Sequence, residues 1–260
     1  VLRITYVGHA TVQLDTGGVR LLTDPVLRQR MMRLRRIVPP PAVEEFDRPD
    51  AVLISHAHFD HLDLSSLRQL RSCPALVPRG CGRLLRSAGF EEVTEMRSGE
   101  RVQVGEVEVT AARMDHDGRR HPFSRARESL AYLVDGSART LFLGDTGLFE
   151  GMRQLAGGID LALLPIWGWG PRLGRGHMGP AEAADAAALL EARVAIPIHW
   201  GTYAARGVDW LEDPSLPARR FEEEAASRAP AVEVRVVPPG GATELRGREP
   251  DASWPRSPRR

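Results

Sequence analysis

ISHAHFDHLD, residues 54–63, places three histidines and two aspartates within ten positions. The run leading into it, DAVLIS at 50–55, is apolar in the way of a buried strand. Side chains two apart on an extended chain face the same way. His56 and His58 therefore aim together off the end of that strand and give two nitrogen donors in one direction. Asp60 and His61 fall where the chain must turn toward the next segment, so they serve an adjacent position. The spacing makes two neighbouring pockets. Imidazole and carboxylate donors suit Zn²⁺, Fe or Mn²⁺, and the lack of cysteine donors argues against a structural zinc site.

Short strands and helices alternate on either side of the motif. LRITYV (2–7), TVQLD (11–15) and VRLLT (19–23) read as strands, and Thr16-Gly17-Gly18 makes a turn, so the chain opens as an antiparallel meander. After the motif, Leu62, Leu64, Leu67 and Leu70 in LDLSSLRQLRS suit a helix. Pro78 precedes a second helix in RGCGRLLRSAGF, ended by Gly89. From 101 to 145 strands return in RVQVGEVEVTAA, LAYLVD and RTLFLGDTG. In the last third, GPAEAADAAALLEA is a helix with Pro180 in its first turn, followed by the strand VAIPIHWG. Two sheets with helices outside them fit this order. Nothing marks a linker, so residues 1–246 are expected to form one domain, and the Arg- and Pro-rich 247–260 a disordered tail.

With 42% hydrophobic residues in 260, the chain can bury a full core. A formal net charge of +1 provides no strong field toward nucleic acid or an anionic membrane. All 35 basic residues are Arg, which reads as codon usage rather than as guanidinium chemistry. Cys73 and Cys81 are too few for a disulfide framework and suit a reducing compartment. The first strand lacks the apolar run of a signal peptide. The longest uncharged stretch, LALLPIWGWGP (161–171), is well short of the roughly 20 residues that span a bilayer. A cytoplasmic protein without a transmembrane segment is expected.

His-x-His-x-Asp-His directly after a buried apolar strand resembles the hallmark of the metallo-β-lactamase superfamily. The family needs three more ligands, and matches follow in chain order: His116 after VEVTAARMD, Asp145 in the Gly-Asp-Thr of TLFLGDTG, and His199 in AIPIHWGTY. The resemblance implies one metal on His56, His58 and His116, a second on Asp60, His61 and His199, and Asp145 between them. It also implies an α/β fold, the four-layer αββα sandwich with mixed sheets, over roughly residues 2–245. The implied cofactors are two divalent metal ions, Zn foremost, with Mn or Fe as alternatives. Two such cations lower the pKa of a shared water toward neutrality and polarise the bond under attack. Hydrolysis by a metal-bridged hydroxide is the expected reaction, with Asp60 orienting that hydroxide and moving its proton.

VGHATVQLDTGGVRLLTDPVL (7–27), GDTGLF, LALLPI, HMGPAEAA and IPIHWGTY together look like the subgroup that includes N-acyl-phosphatidylethanolamine-hydrolysing phospholipase D. The L-ascorbate-6-phosphate lactonases are a more distant likeness. The subgroup implies a phosphodiester or phosphorylated small molecule as substrate, lipid-like in some members, with a sugar-type lactone as the alternative. In the phospholipase-like members the histidine matched by His177 lies at the active site, which makes His177 a candidate catalytic residue, as proton donor or phosphate contact. Its other reading is a helix-entry residue.

His9 of GHAT and Asp24 of LTDP match the same subgroup. Asp24 is a candidate to hydrogen-bond a ligand histidine and fix its tautomer, or else a turn residue. His9 sits beside the metals or is a satisfied buried histidine. Trp167 and Trp169 in WGWGPRLGRGH are expected to line the pocket, and His121 to lie on the surface or the pocket rim. Arg28, Arg30, Arg33, Arg35 and Arg36, among Met31, Met32, Leu34 and Ile37, read as an amphipathic lid or as a solvated helix or loop. MDHDGRRHPF (114–123) departs from the Gln-His-Trp of those phospholipases, so lipid specificity does not follow from the likeness.

A nucleic-acid-processing member of this fold needs an RNA-gripping insertion and a stronger basic surface. A redox member carries altered ligands or an attached flavin domain, and a purely binding protein predicts eroded ligands. The sequence shows none of these features.

Overall fold

The computed structural model describes residues 1–39, 48–121, 123–167, 173–205 and 213–248. It opens with the expected meander: β1 (Leu2–Gly8), β2 (Thr11–Thr16) and β3 (Val19–Thr23) pair antiparallel in sequence order. Two short strands follow, β4 (Arg30–Met31) and β5 (Leu34–Arg36). Then come β6 (Ala51–Leu53), α1 (Leu64–Leu67), β7 (Ala75–Pro78), α2 (Gly82–Ser87) and β8 (Val93–Met96). From β3 through β6 and β7 to β8 the pairing is parallel. A parallel neighbour needs a crossover, and α1 and α2 lie in those connections.

The second half repeats the plan. β9 (Arg101–Val104), β10 (Val107–Arg113), β11 (Leu130–Asp135) and β12 (Arg139–Phe142) form an antiparallel ladder. β13 (Leu161–Pro165), α3 (Pro180–Leu189), β14 (Val194–Ile198), β15 (Tyr203–Ala205), α4 (Leu216–Arg228), β16 (Glu233–Val234) and β17 (Gly241–Leu245) complete the order. β12, β13, β14 and β16 run parallel. β17 returns to the first sheet, where Leu245 lies opposite Leu2. Among the described residues each large sheet has seven strands, joined by three antiparallel and three parallel pairings.

β6 and the residue after it show the layering. Ala51 and Leu53 enter the core between the sheets, while Val52 and Ile54 pack outward with Leu67, Leu70 and Leu85 beneath α1 and α2. On the far side, Ala183 and Ala187 of α3 and Phe221 of α4 cover the second sheet. The chain is thus the expected α/β sandwich of helix, sheet, sheet and helix, with mixed sheets.

Two local expectations change. The helix after the motif is a single turn: Asp63 caps it by accepting the N–H and hydroxyl of Ser66, and from Gln69 the bonds tighten to a three-residue spacing. Leu62, Leu67 and Leu70 are buried all the same. The Arg-rich segment is not a helix but a hairpin, because β4 and β5 join β15 in a three-stranded sheet, with Arg28 in irregular chain before it, Arg33 in its turn and Arg30, Arg33 and Arg35 exposed. Strand alternation turns Arg35 outward and Arg36 inward. Arg36 is 3% exposed and donates to the carbonyls of Val7, Val26 and Pro39, while Arg28 pairs with Asp63 at 2.7 Å.

No helix among the described residues is long and apolar enough to cross a membrane. At the C-terminal end, the Arg248 N–H donates to Asp160. The rest of the expected disordered tail, 249–260, lies outside the described residues.

Candidate metal centre

His56, His58, Asp60, His61, His116, Asp145 and His199 converge on one rim of the sandwich, just past the ends of β6, β10, β12 and β14. Three of these are strands of the parallel halves, and ligands of open α/β sheets bind outside such carboxyl ends. His9, from the β1–β2 turn, and His177, ahead of α3, reach the same rim. His121 is exposed, as expected.

The first group is a triad of nitrogens. His56 Nε2 and His116 Nε2 lie 2.9 and 3.1 Å from His58 Nδ1. Their outer partners set the protons. The Ser55 hydroxyl donates to Asp24 Oδ2 at 2.5 Å, so His56 Nδ1, 2.9 Å from Ser55 Oγ, is the donor in that contact. His116 Nδ1 donates to the Gly176 carbonyl at 2.8 Å. A neutral imidazole carries one ring proton. Both Nε2 atoms are therefore bare lone pairs aimed at His58 Nδ1, which can offer one proton at most. A cation among the three nitrogens satisfies them all.

The second group has the same logic. His61 Nδ1 donates to Asp24 Oδ2 at 2.6 Å, which leaves its Nε2 facing Asp145 Oδ2 at 3.1 Å. A lone pair against a carboxylate repels unless a proton or a metal ion intervenes. His61 Nε2 and Asp145 Oδ1 are buried, and among the described residues neither makes a hydrogen bond of ordinary geometry, which is a place an ion could satisfy. Asp145 also lies 3.3 Å from His199 Nε2, 4.0 Å from His56 Nε2 and 3.4 Å from His177 Nε2, so it touches both groups. Asp60 Oδ2 is 3.7 Å from His61 Nε2 and 3.8 Å from His199 Nε2. These residues fit a divalent metal by both donor chemistry and spacing.

For His56, His58, His116 and His199 the electrostatics agree with that fit, and at His61 the carboxylates favour a proton where an ion would sit. Burial lowers His56 and His116, takes His58 down to about 4 and takes His199 to about 3, so these rings are neutral donors at neutral pH. Burial pulls His61 the same way, but the carboxylates of Asp145, Asp60 and Asp24 outweigh it and hold His61 well above 6.5. Against the opposing effect of burial, His61 and His9 hold Asp60 well below the carboxylate range, and His199 and His61 do so for Asp145. Burial also opposes protonation of His177, yet its bond to Asp145 raises it.

Backbone strain gathers at the same rim. His9, Asp24 and His199 all have positive φ, at 57°, 31° and 66°. Such conformations persist in non-glycine residues only where the surroundings over-determine them, as at ligand clamps. Gly144, beside Asp145, has φ 63°, and a Cβ there would sit 2.4 Å from Ser55 Cβ.

Of the other residues expected near the pocket, Asp24 bonds His61, and His9 lies 3.3 Å from Asp60. Trp167 is half-buried and packs on the inter-sheet core, while Trp169 lies outside the described residues. Sequence reasoning missed three supports. Ser55 carried a signal, as the hydroxyl next to the motif. The Gly176 carbonyl carried none. Arg120 donates to Ala57 O and Leu62 O, both at 3.0 Å, and its guanidinium lies 4.2 Å from the Phe59 ring centre, so it braces the motif loop from a distant segment.

Residues 19–200 match the family model described as the beta-lactamase superfamily domain. The chain is 32% identical over 254 residues to a metal-dependent hydrolase of Methanopyrus kandleri, covering 94% of this chain and 100% of that protein. It is 31% identical over 237 residues to N-acyl-phosphatidylethanolamine-hydrolyzing phospholipase D 1 of Caenorhabditis elegans, covering 81% and 67% respectively. In fold it resembles the solved structure of Igni18, a metallo hydrolase from Ignicoccus hospitalis, with a TM-score of 0.71 at 20% identity over 94% of this chain and 99% of that one. The architecture, the cluster of donors and these likenesses agree: the chain belongs to the beta-lactamase superfamily, among its metal-dependent hydrolases.

Proposed function

We propose that the protein is a dinuclear hydrolase of phosphodiesters or of phosphorylated small molecules. In this reading His56, His58 and His116 hold one ion, Asp60, His61 and His199 the other, and Asp145 is shared. The observation that carries it is the aim of two imidazole lone pairs, those of His56 Nε2 and His116 Nε2, at His58 Nδ1, which a cation among the three nitrogens satisfies. Two divalent ions bound there, Zn²⁺ foremost, would supply an acidified water and polarise the bond under attack.

The chain's own residues do the rest. Asp60 stays ionised and is partly exposed, so it orients the attacking water and accepts its proton. His177 is a quarter exposed and held toward its protonated form by Asp145, 3.4 Å away, so it hands a proton to the departing oxygen. The name of the Caenorhabditis elegans relative supports a phosphodiester and a small or lipid-like substrate. Two buried free thiols, Cys73 and Cys81, support a reducing, cytoplasmic setting.

The test is a rate assay on bis-p-nitrophenyl phosphate and on a simple lactone, with Zn²⁺ or Mn²⁺ added. Diester turnover lost in Asp60→Ala is the expected result. Lactone turnover alone would replace the phosphodiester reading by a lactonase, and turnover of neither would overturn both substrates.

A further inference from the structure

We infer that His9 is a metal ligand, a further donor to the ion proposed on Asp60, His61 and His199. The inference rests on the dinuclear reading and extends it to a residue of the opening meander.

Four observations converge on His9. Its imidazole is 1% exposed, and one of its ring nitrogens lies with donor atoms of Asp60, His61 and His199 in a set mutually within 4.8 Å. Its Nε2 stands 3.3 Å from Asp60 Oδ2. Two donors about 2.0–2.2 Å from one zinc can stand up to about 4.4 Å apart, so this contact, like the 3.3 Å between His199 Nε2 and Asp145 Oδ1, suits two donors to one ion.

The backbone is arranged to put the ring there. His9 adopts φ 57°, its N–H donates to Thr202 Oγ1 at 2.7 Å, and its carbonyl accepts the His199 N–H at 2.7 Å. His199 itself has φ 66°, and the two ring centres are 4.0 Å apart. Gly8 permits the approach, since a Cβ on it would sit 2.7 Å from the Thr202 side chain. Two strained residues thus hold each other, and both rings face the same donors.

The consequence is asymmetry. An ion held by His9, Asp60, His61, His199 and Asp145 would have five protein donors, against four for an ion on His56, His58, His116 and Asp145. The ion with more donors should leave last under chelation.

The experiment is NMR of the full chain, labelled with ¹⁵N-histidine and loaded with ¹¹³Cd²⁺. Scalar coupling to cadmium marks each ring nitrogen bonded to an ion. The expected spectrum shows a coupled nitrogen beyond those of His56, His58, His61, His116 and His199. His9→Asn should remove that signal and weaken the last-released ion by about 100-fold or more, at least the loss seen for residues that merely orient a ligand. Asn tolerates positive φ, so the variant should fold, with circular dichroism as the check. Cadmium bound without a coupled His9 nitrogen would overturn this inference and leave the dinuclear reading standing. No cadmium bound at all would overturn both.

Discussion

Ser55 Oγ donates to Asp24 Oδ2 at 2.5 Å, and this one bond joins the two halves of the centre. The same serine oxygen accepts from His56, and the same aspartate oxygen accepts from His61. One buried pair therefore fixes the tautomer of a donor in each group. Ser55→Ala or Asp24→Asn should lower metal affinity about 10–100-fold, as loss of outer hydrogen bonds does elsewhere. Competition with a chromophoric chelator measures it, and an unchanged affinity would deny the pair this role.

Asp60→Asn keeps an oxygen donor but cannot accept a proton. With metal supplied to saturation, the expected kcat falls by about 10²–10⁴-fold. A kcat within a few-fold of the parent would remove Asp60 as proton acceptor.

His177→Gln separates leaving groups. An alkoxide needs a proton as it departs, whereas p-nitrophenolate does not. The variant should lose about 10²-fold on alkyl diesters and little on the nitrophenyl ester. Equal losses on both would make His177 a binding or structural residue.

Arg120→Ala removes two charged hydrogen bonds to the motif loop and the contact with Phe59. Stability should fall by about 1–3 kcal/mol. Urea unfolding of the metal-loaded protein reads this, and no shift in midpoint would show that the brace is idle.

Metal-free protein should lose stability as pH falls from 6.5 toward 4. Burial depresses His58 to about 4 and His199 to about 3, so in this window the unfolded chain takes up protons that the folded chain refuses. Their contribution is full above 6.5 and shrinks as pH falls toward those folded values. His61, held above 6.5, contributes fully below 6.5 and loses its contribution only as pH rises through its raised value. Asp60 and Asp145, held below 3.8, lose theirs only under stronger acid. Melting temperatures of chelator-treated protein between pH 7 and 4.5 should fall, and a flat or rising profile would contradict the burial argument.

Much of the centre was legible because its candidate donors sit at strand ends, where a polar residue interrupts an apolar run. His56 and His58 follow AVLIS, and His199 follows VAIPI. Strand alternation also foretold the layering, since Val52 and Leu53 face opposite cores. The supports were less visible. Gly176 acts through a carbonyl, which any residue possesses, and Arg120 reaches Ala57 from 63 positions away. The Arg-rich segment misled because its composition suits a solvated helix, whereas pairing with β15 from the far end of the chain makes it a sheet.

A two-metal centre built from these side chains fixes the metal content of the protein and of its variants. Metal analysis of the purified protein, beside His116→Ala and Asp145→Ala, should find up to two divalent ions in the parent, loss of the ion on the histidine triad in His116→Ala, and loss reaching both ions in Asp145→Ala. Full metal content in both variants, or no metal in the parent under any loading condition, would contradict it.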